Sequence, residues 1–310
     1  MIGLLALFLA LVWMLRDEKD KTRPLLVFAL VLNLCYGWLL SVVMGKEDGL
    51  LPWKYDLFLL QLDASLGISA GSIALSLQGF WRIPLNVTYQ LMVPMMICWY
   101  FVTRNRNRSG SLVLAYVAEL AMGPLLYAML PACGPAYAFG SNWLDPPPAT
   151  AHLIRFSGMP NAFPSLHLGT AMVFVLYAEG KLWRGISLAF FIGTALATIS
   201  TGEHYFIDLV AGLAFGSFAA NAGYRRFRSA LFYLGIAVSW SAAIRFAFPF
   251  LLAHPGVVGS CAALTGALAI LAVLREWRLD PHRRLSARLG DSPMPQASPS
   301  QMPLSEAHAD

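Results

Sequence analysis

Apolar residues in this chain come in long unbroken runs separated by short charged loops. The runs do not alternate between polar and apolar positions. Closed barrels are therefore excluded, and membrane-spanning helices are predicted. Nine spans are expected, at about 2–15, 25–44, 84–102, 111–130, 164–179, 182–200, 204–223, 229–251 and 256–274. The first is short, but it lacks a basic n-region and a small-residue cleavage site before Arg16-Asp17-Glu18, so it reads as a span. Segment 45–83 is too polar to span and reads as interfacial helix and turn. Segment 131–163, rich in Pro and Gly, reads as a structured outer loop. Residues 280–310 are rich in Pro, Ser and Arg and read as a disordered cytoplasmic tail.

Composition narrows the class further. Of 310 residues, 57% are hydrophobic and 13% charged, against a usual charged share of about 25%. Mean hydropathy is +0.59. Too few polar residues exist to cover a soluble domain, which excludes an ordinary cytosolic enzyme, a nucleic-acid binder and a disordered protein. The net charge of +5 gains its meaning from position. Of the 22 Lys and Arg, 17 fall in the loops at 16–24, 103–110, 180–185 and 223–229 and in the tail. The alternate loops hold only Lys46, Lys54, Arg82 and Arg155, and Arg245 lies inside a span. Such alternation predicts an outer N-terminus and a cytoplasmic C-terminus. Cys35, Cys98, Cys133 and Cys261 show no paired spacing, so neither a disulfide framework nor a thiolate metal site is expected.

Ionisable residues inside spans are costly and usually functional. Here they are Glu119, Asp208 and Arg245, with His167 and His204 at span ends. Arg245 sits roughly 10 Å from the outer end of its helix at 1.5 Å per residue, and is expected to pair with Glu119 or Asp208. His204 and Asp208 are four apart, so they share a helix face and can hydrogen-bond. A carboxylate on one imidazole nitrogen leaves the other as a nucleophile. His167 opens another helix on the same membrane side, where it could protonate a leaving oxygen. Pro164 suits a first helical turn, and the N–H groups of Ser165, Leu166 and His167 would form an anion cradle. A metal held by the two histidines is the competing reading, but no third good ligand is evident.

Pro164-Ser165-Leu166-His167 and His204-Tyr205-Phe206-Ile207-Asp208 resemble motifs of the type 2 phosphatidic acid phosphatase superfamily. That family carries K-x6-R-P, then P-S-G-H, then S-R-x5-H-x3-D. The Leu in place of Gly and the H-Y-F-x-D string look more like its inositol phosphorylceramide synthase branch. The resemblance covers roughly residues 50–223. It departs at three phosphate-binding positions: Tyr127 and Gly134 stand for the Lys and Arg of the first motif, and Ala197-Thr198 for the Ser-Arg of the third.

The resemblance implies an all-α polytopic membrane protein with a six-helix catalytic core at 50–223. Transmembrane helices flank it at 1–49 and 224–279, with the tail at 280–310. It implies an enzyme acting on lipid phosphates by a phosphohistidine route, with neither metal nor organic cofactor. His204 is the expected nucleophile, Asp208 its orienting group and His167 the acid. Substrate-binding candidates are Ser165, Leu166, Tyr127, Arg155, Lys54 and Tyr205, with Arg82 as a further cation; for the cations and tyrosines the plainer reading is headgroup contact or packing. Expected partners are a phospholipid donor and an alcohol acceptor. The branch favours transfer to an alcohol, with hydrolysis of a lipid phosphate as the alternative. A non-catalytic transporter or scaffold is the rival from another class, disfavoured because the polar residues cluster at one end of the spans.

Overall fold

The computed structural model describes residues 51–77, 79–104, 108–146, 150–156, 158, 159 and 161–278, with Pro24, Val27 and Val31. The two expected N-terminal spans, apart from Val27 and Val31, and the tail lie outside the described residues. The elements in chain order are β1 (Trp53–Lys54), α1 (Asp56–Ser65), α2 (Ala70–Ser76), α3 (Arg82–Gln90), α4 (Met92–Arg104), α5 (Ser109–Met129) and α6 (Pro135–Phe139). They continue with β2 (Ile154–Arg155), α7 (Leu166–Tyr177), α8 (Gly180–Ser200), α9 (Phe206–Gly223), α10 (Phe227–Phe246), α11 (Phe248–Ala253) and α12 (Pro255–Arg278). The chain is an integral membrane protein of all-α architecture apart from one short ladder. In that ladder β1 and β2 pair antiparallel, with Trp53 opposite Arg155 and Lys54 opposite Ile154.

Among the described residues five helices are long and apolar enough to cross a membrane: α5, α8, α9, α10 and α12. At 1.5 Å per residue, the 21 residues of α5 span about 30 Å, the thickness of a hydrocarbon core. Two bent pairs raise the number to seven if each counts as one span. The expected span 84–102 is one of them, broken between α3 and α4 with a bend of 58°. Pro94 explains the break: its ring clashes with a helical carbonyl at Gln90, four residues back. The other pair, α1 and α2, bends by 71°. It matches the expected helix and turn, but the two helices together are apolar enough to pass as a broken span or re-entrant loop. The expected span 229–251 ends early, at Phe246, before a separate short helix α11. Pro249 in that helix acts as Pro94 does. The expected span 164–179 contracts to the 12 residues of α7, about 18 Å long and too short to cross. Of the nine expected spans, seven fall on described residues: five match full helices, one matches the bent pair α3–α4, and one falls on the short α7.

Helices α7 and α9 form the centre. Every α7 residue from Leu168 to Tyr177 is buried, and 83% of α9 is enclosed. Their backbones meet across Gly212 and Gly216, one turn apart on α9. A Cβ at Gly212 would lie 2.7 Å from the Ser165 carbonyl oxygen, and one at Gly216 would lie 2.3 Å from that of Gly169. Small residues permit this close approach, which an apolar solvent alone does not drive. The contact also brings the start of α7 against the start of α9, where His167 and His204 lie.

At the opposite end the basic loops gather. Arg108 pairs with Glu179 at 2.7 Å, and Arg226 pairs with Glu276. Both guanidinium groups lie over the Tyr224 ring, at 5.6 and 4.7 Å.

Candidate active site

The segment carrying His204 is folded before α9 begins. The Thr198 carbonyl accepts the N–H groups of Glu203 (3.1 Å) and His204 (3.3 Å), turning the chain back on the end of α8. The orphan N–H groups of α9's first turn then meet two carboxylates. Asp208 Oδ2 accepts the Tyr205 N–H at 2.8 Å. Asp63, on α1, accepts the N–H of Phe206 at 2.6 Å and of Ile207 at 3.1 Å. Negative charge suits that end of the helix dipole. Asp56, two turns earlier on α1, accepts the N–H groups of Cys133 (3.1 Å) and Gly134 (2.9 Å) and the Tyr205 hydroxyl (3.0 Å). One acidic helix thus holds both the 131–134 strap and the His204 segment.

His204 is 3% exposed. Its Nδ1 lies 2.9 Å from the carbonyl oxygen of Ala162. A carbonyl can only accept, so Nδ1 carries the proton and Nε2 keeps its lone pair. Asp208 Oδ2 stands 3.5 Å from the same Nδ1, beyond a good hydrogen bond. This corrects the expected His204–Asp208 hydrogen bond. The i, i+4 argument needs both residues in the helix, but α9 starts at Phe206 and His204 precedes it. The Ala162 carbonyl sets the tautomer, and the Asp208 carboxyl stands beside the same nitrogen. Burial lowers the His204 imidazole from 6.5 to about 4, against the upward pull of the Glu203 carboxylate and the Ala162 carbonyl. The neutral, nucleophilic form therefore dominates at neutral pH. Burial raises the Glu203 carboxyl in turn.

His167 is half-buried. It stacks on Tyr89 with ring centroids 4.5 Å apart and meets His204 edge-on at 5.8 Å. Both histidines line a cavity of about 140 Å³ together with Leu166, Tyr127, Asn161, Thr170, Glu119 and Glu203. The cradle differs from expectation. Pro164 precedes the helix, Ser165 is its N-cap, and the Ser165 Oγ accepts the Leu168 N–H at 3.3 Å. The Ser165 N–H donates to the Asp208 carbonyl at 3.1 Å, so it is not available to an anion. The N–H groups of Leu166 and His167 remain at the helix start.

Of the expected substrate-binding residues, Leu166 and Tyr127 reach the cavity and the others do not. Ser165 is fully buried behind it. Tyr205 is tied to Asp56, and Lys54, on the ladder strand, donates to the Leu51 carbonyl just before it. Arg155 is exposed on β2. Arg82 lines a separate cavity of about 470 Å³ with Asn86, Trp143, Ser200 and Thr201. Arg245 pairs with neither Glu119 nor Asp208. It donates to the Met129 carbonyl at 2.8 Å and so caps the end of α5. A long side chain near a helix end reaches the nearest orphan carbonyl more cheaply than a buried carboxylate. Among the described residues no three His, Cys, Asp or Glu side chains are placed to hold a metal ion.

Sequence reasoning left several contributors without a role. Glu119 stood out as an intramembrane charge, but its place beside the histidines depends on packing. Its Oε2 accepts the Thr170 hydroxyl at 2.9 Å, and Thr170 lies three residues after His167 on the same helix. Asp56 and Asp63 carried a readable signal, a spacing of seven that places both on one helix face.

The first motif's Arg position also finds an explanation. Gly134 has φ +94°, and a Cβ there would lie 2.2 Å from the Glu203 carbonyl oxygen. No arginine fits while the 131–134 strap lies against the His204 segment.

Comparison with known proteins agrees with this geometry. A PAP2 superfamily profile matches residues 57–222, a stretch that includes both histidines and Asp208. No curated protein and no solved structure matches the chain. The chain belongs to the PAP2 superfamily and is an enzyme of the phosphatase or phosphotransferase type that acts on phosphorylated lipids.

Proposed function

We propose that the enzyme moves a phospho-headgroup from a lipid phosphodiester to an alcohol through a phosphohistidine on His204, as inositol phosphorylceramide synthase-like enzymes do. The observation that carries this is the His204 ring itself. Its Nδ1 is committed to the Ala162 carbonyl, which leaves the lone pair on Nε2, and the ring lines the cavity that His167 shares. In the first half-reaction, Nε2 bonds to phosphorus and the bond from phosphorus to the diacylglycerol oxygen breaks. Burial lowers the His167 imidazole from 6.5 to about 3, so the charge of the bound phosphate has to raise it before it can deliver a proton to that oxygen. Asp208, 3.5 Å from Nδ1, stabilises the positive imidazole. In the second half-reaction, His167 takes the proton of the acceptor hydroxyl, whose oxygen displaces His204. The N–H groups of Leu166 and His167 face charge developing on the phosphoryl oxygens.

Hydrolysis is the second reading. Tyr127, Gly134 and Thr198 stand where the family pattern has charged side chains, and water could take the acceptor's place. The site is assigned to the extracytoplasmic face because the Lys- and Arg-rich loops lie at the other end.

The test uses purified protein and lipids labelled in the headgroup phosphate. Transfer through His204 yields an alkali-stable, protein-bound label and a labelled product only when an alcohol is supplied. His204→Ala should show neither. Near-normal turnover by that variant would remove the phosphohistidine route, and label released to water alone would select hydrolysis.

A further inference from the structure

The two histidines are held in different ways. His204 is pinned through Nδ1 to the Ala162 carbonyl. Among the described residues no hydrogen bond fixes the His167 ring. Its ring neighbours are aromatic. Tyr89 stacks on it with centroids 4.5 Å apart and planes 26° from parallel, and His204 meets it edge-on at 5.8 Å. An imidazole that moves protons is commonly oriented by a third group. Here that group is the face of a tyrosine.

Local structure explains how Tyr89 comes to stand there. It sits in the last turn of α3, just before the 58° bend into α4. The residue before it, Thr88, packs on α8, where a Cβ at Gly193 would lie 3.1 Å from the Thr88 Cγ2. The missing side chain lets α3 lie close against α8, and the bend frees α3 from the line of α4.

The stack bears on charge as well as orientation. Burial disfavours the charged form of His167, and neighbouring His204 adds to this. The titratable groups that share the cavity with it are Glu203 and His204, from the segment before α9, and Glu119, Tyr116 and Tyr127, from α5. Tyr89 covers it from α3. The electron-rich face of a tyrosine attracts a cation lying over it, so the imidazolium gains more from this contact than the neutral ring does. His167 carries that charge twice, before it protonates the leaving oxygen and after it takes the acceptor's proton.

Resting on the acid role given to His167 above, we propose that Tyr89 is a positioning residue for that histidine, its ring face orienting the imidazole and stabilising the imidazolium. Tyr89 acts through His167 and moves no proton itself. The proton passes from the His167 ring to the leaving oxygen as the bond from phosphorus to that oxygen breaks and His204 Nε2 bonds to phosphorus. A proton returns to His167 from the acceptor hydroxyl as Nε2 is displaced.

The experiment compares Tyr89→Phe, Tyr89→Leu and Tyr89→Met in the purified full chain, with His167→Ala alongside. Each is measured on the fastest of phosphatidic acid, phosphatidylinositol and phosphatidylglycerol, and on a nitrophenyl phosphate of the same ester class. Tyr89→Phe keeps the π face and should keep most of the rate. Tyr89→Leu should lose about three- to thirtyfold in kcat on the lipid, the worth of a cation over an aromatic face. The loss should shrink on the nitrophenyl ester, whose leaving oxygen needs no proton. The basic limb of kcat reports the acid in the enzyme–substrate complex. It should move down by about 0.4 to 1.5 pH units in Tyr89→Leu, because a less stabilised imidazolium gives up its proton at lower pH. Thermal unfolding checks the fold, and Tyr89→Met gives the same comparison where Tyr89→Leu does not fold. Tyr89→Phe as slow as the apolar variants would overturn the inference and assign the effect to the hydroxyl. Equal losses on both esters, or an unmoved basic limb, would overturn it and leave Tyr89 a packing role. In each of these cases a nitrophenyl ester that still rescues His167→Ala keeps the acid role of His167. Equal slowing of His167→Ala on both esters would overturn that role and this inference together.

Discussion

The carboxylate of Asp63 accepts the N–H of Phe206 at 2.6 Å, although 143 residues separate the two in sequence. Phe206 is the first residue of α9, two positions after His204. The bond, with its companion to Ile207, joins α1 to the helix whose start follows the candidate nucleophile. Asp63→Ala should leave these N–H groups unpaired in a buried place, at a cost of about 1–3 kcal/mol. Thermal unfolding in detergent should show the loss, and kcat should fall with it because the His204 ring is no longer held. Unchanged stability and unchanged kcat would mean that α1 only covers the site.

The pH dependence should place His204. The reactive form is neutral, and burial lowers its pKa from 6.5 to about 4. Activity should therefore persist below pH 6.5 and fall only as pH drops through about 4. The acid limb of kcat/KM reports the free enzyme. Glu203, Asp208 and His167 all face the ring, so the limb should move down further when Glu203→Gln removes the upward pull of that carboxylate. An acid limb at 6.5 or above would show that the ring is solvated in the working enzyme.

Restoring the family's arginine should harm the protein. Gly134 has a backbone conformation that disfavours side chains, and a Cβ would strike the Glu203 carbonyl. Gly134→Ala and Gly134→Arg should both lose at least tenfold in kcat/KM, because the segment bearing His204 must move. Gain of activity in Gly134→Arg would show that the strap has room to open and that phosphate charge limits the rate.

His167→Ala should cost most when the leaving oxygen needs a proton. A general acid contributes about 10²- to 10⁴-fold. An activated aryl phosphodiester should partly rescue the variant, while a natural lipid ester should not. Equal slowing on both substrates would reassign His167 to phosphate binding.

Topology can be checked independently of chemistry. Ser141→Cys should react with a membrane-impermeant thiol reagent in intact cells, and Ser286→Cys should not. The reverse pattern would place the site on the cytoplasmic side.

Much of this protein is determined by sequence alone. Long apolar runs with few charges force helices in a bilayer, because a spanning backbone must satisfy its own hydrogen bonds. The histidine motifs sit at helix starts for local reasons, a Ser N-cap at 165 and an acidic first turn at 208, and local reasons are visible in sequence. Breaks at Pro94 and Pro249 were equally local and could have been read from the missing N–H and the ring clash. The tertiary structure decided what depends on approach between distant segments. It gave the His204 tautomer to the Ala162 carbonyl, withdrew the Ser165 N–H into a bond with Asp208, sent Arg245 to Met129 and placed Glu119 in the cavity. Each of these outcomes is a choice among several partners of similar chemistry. Spacing along the chain says which groups can bond, whereas the packing of α7 on α9 and of α1 beneath them selects which of them meet.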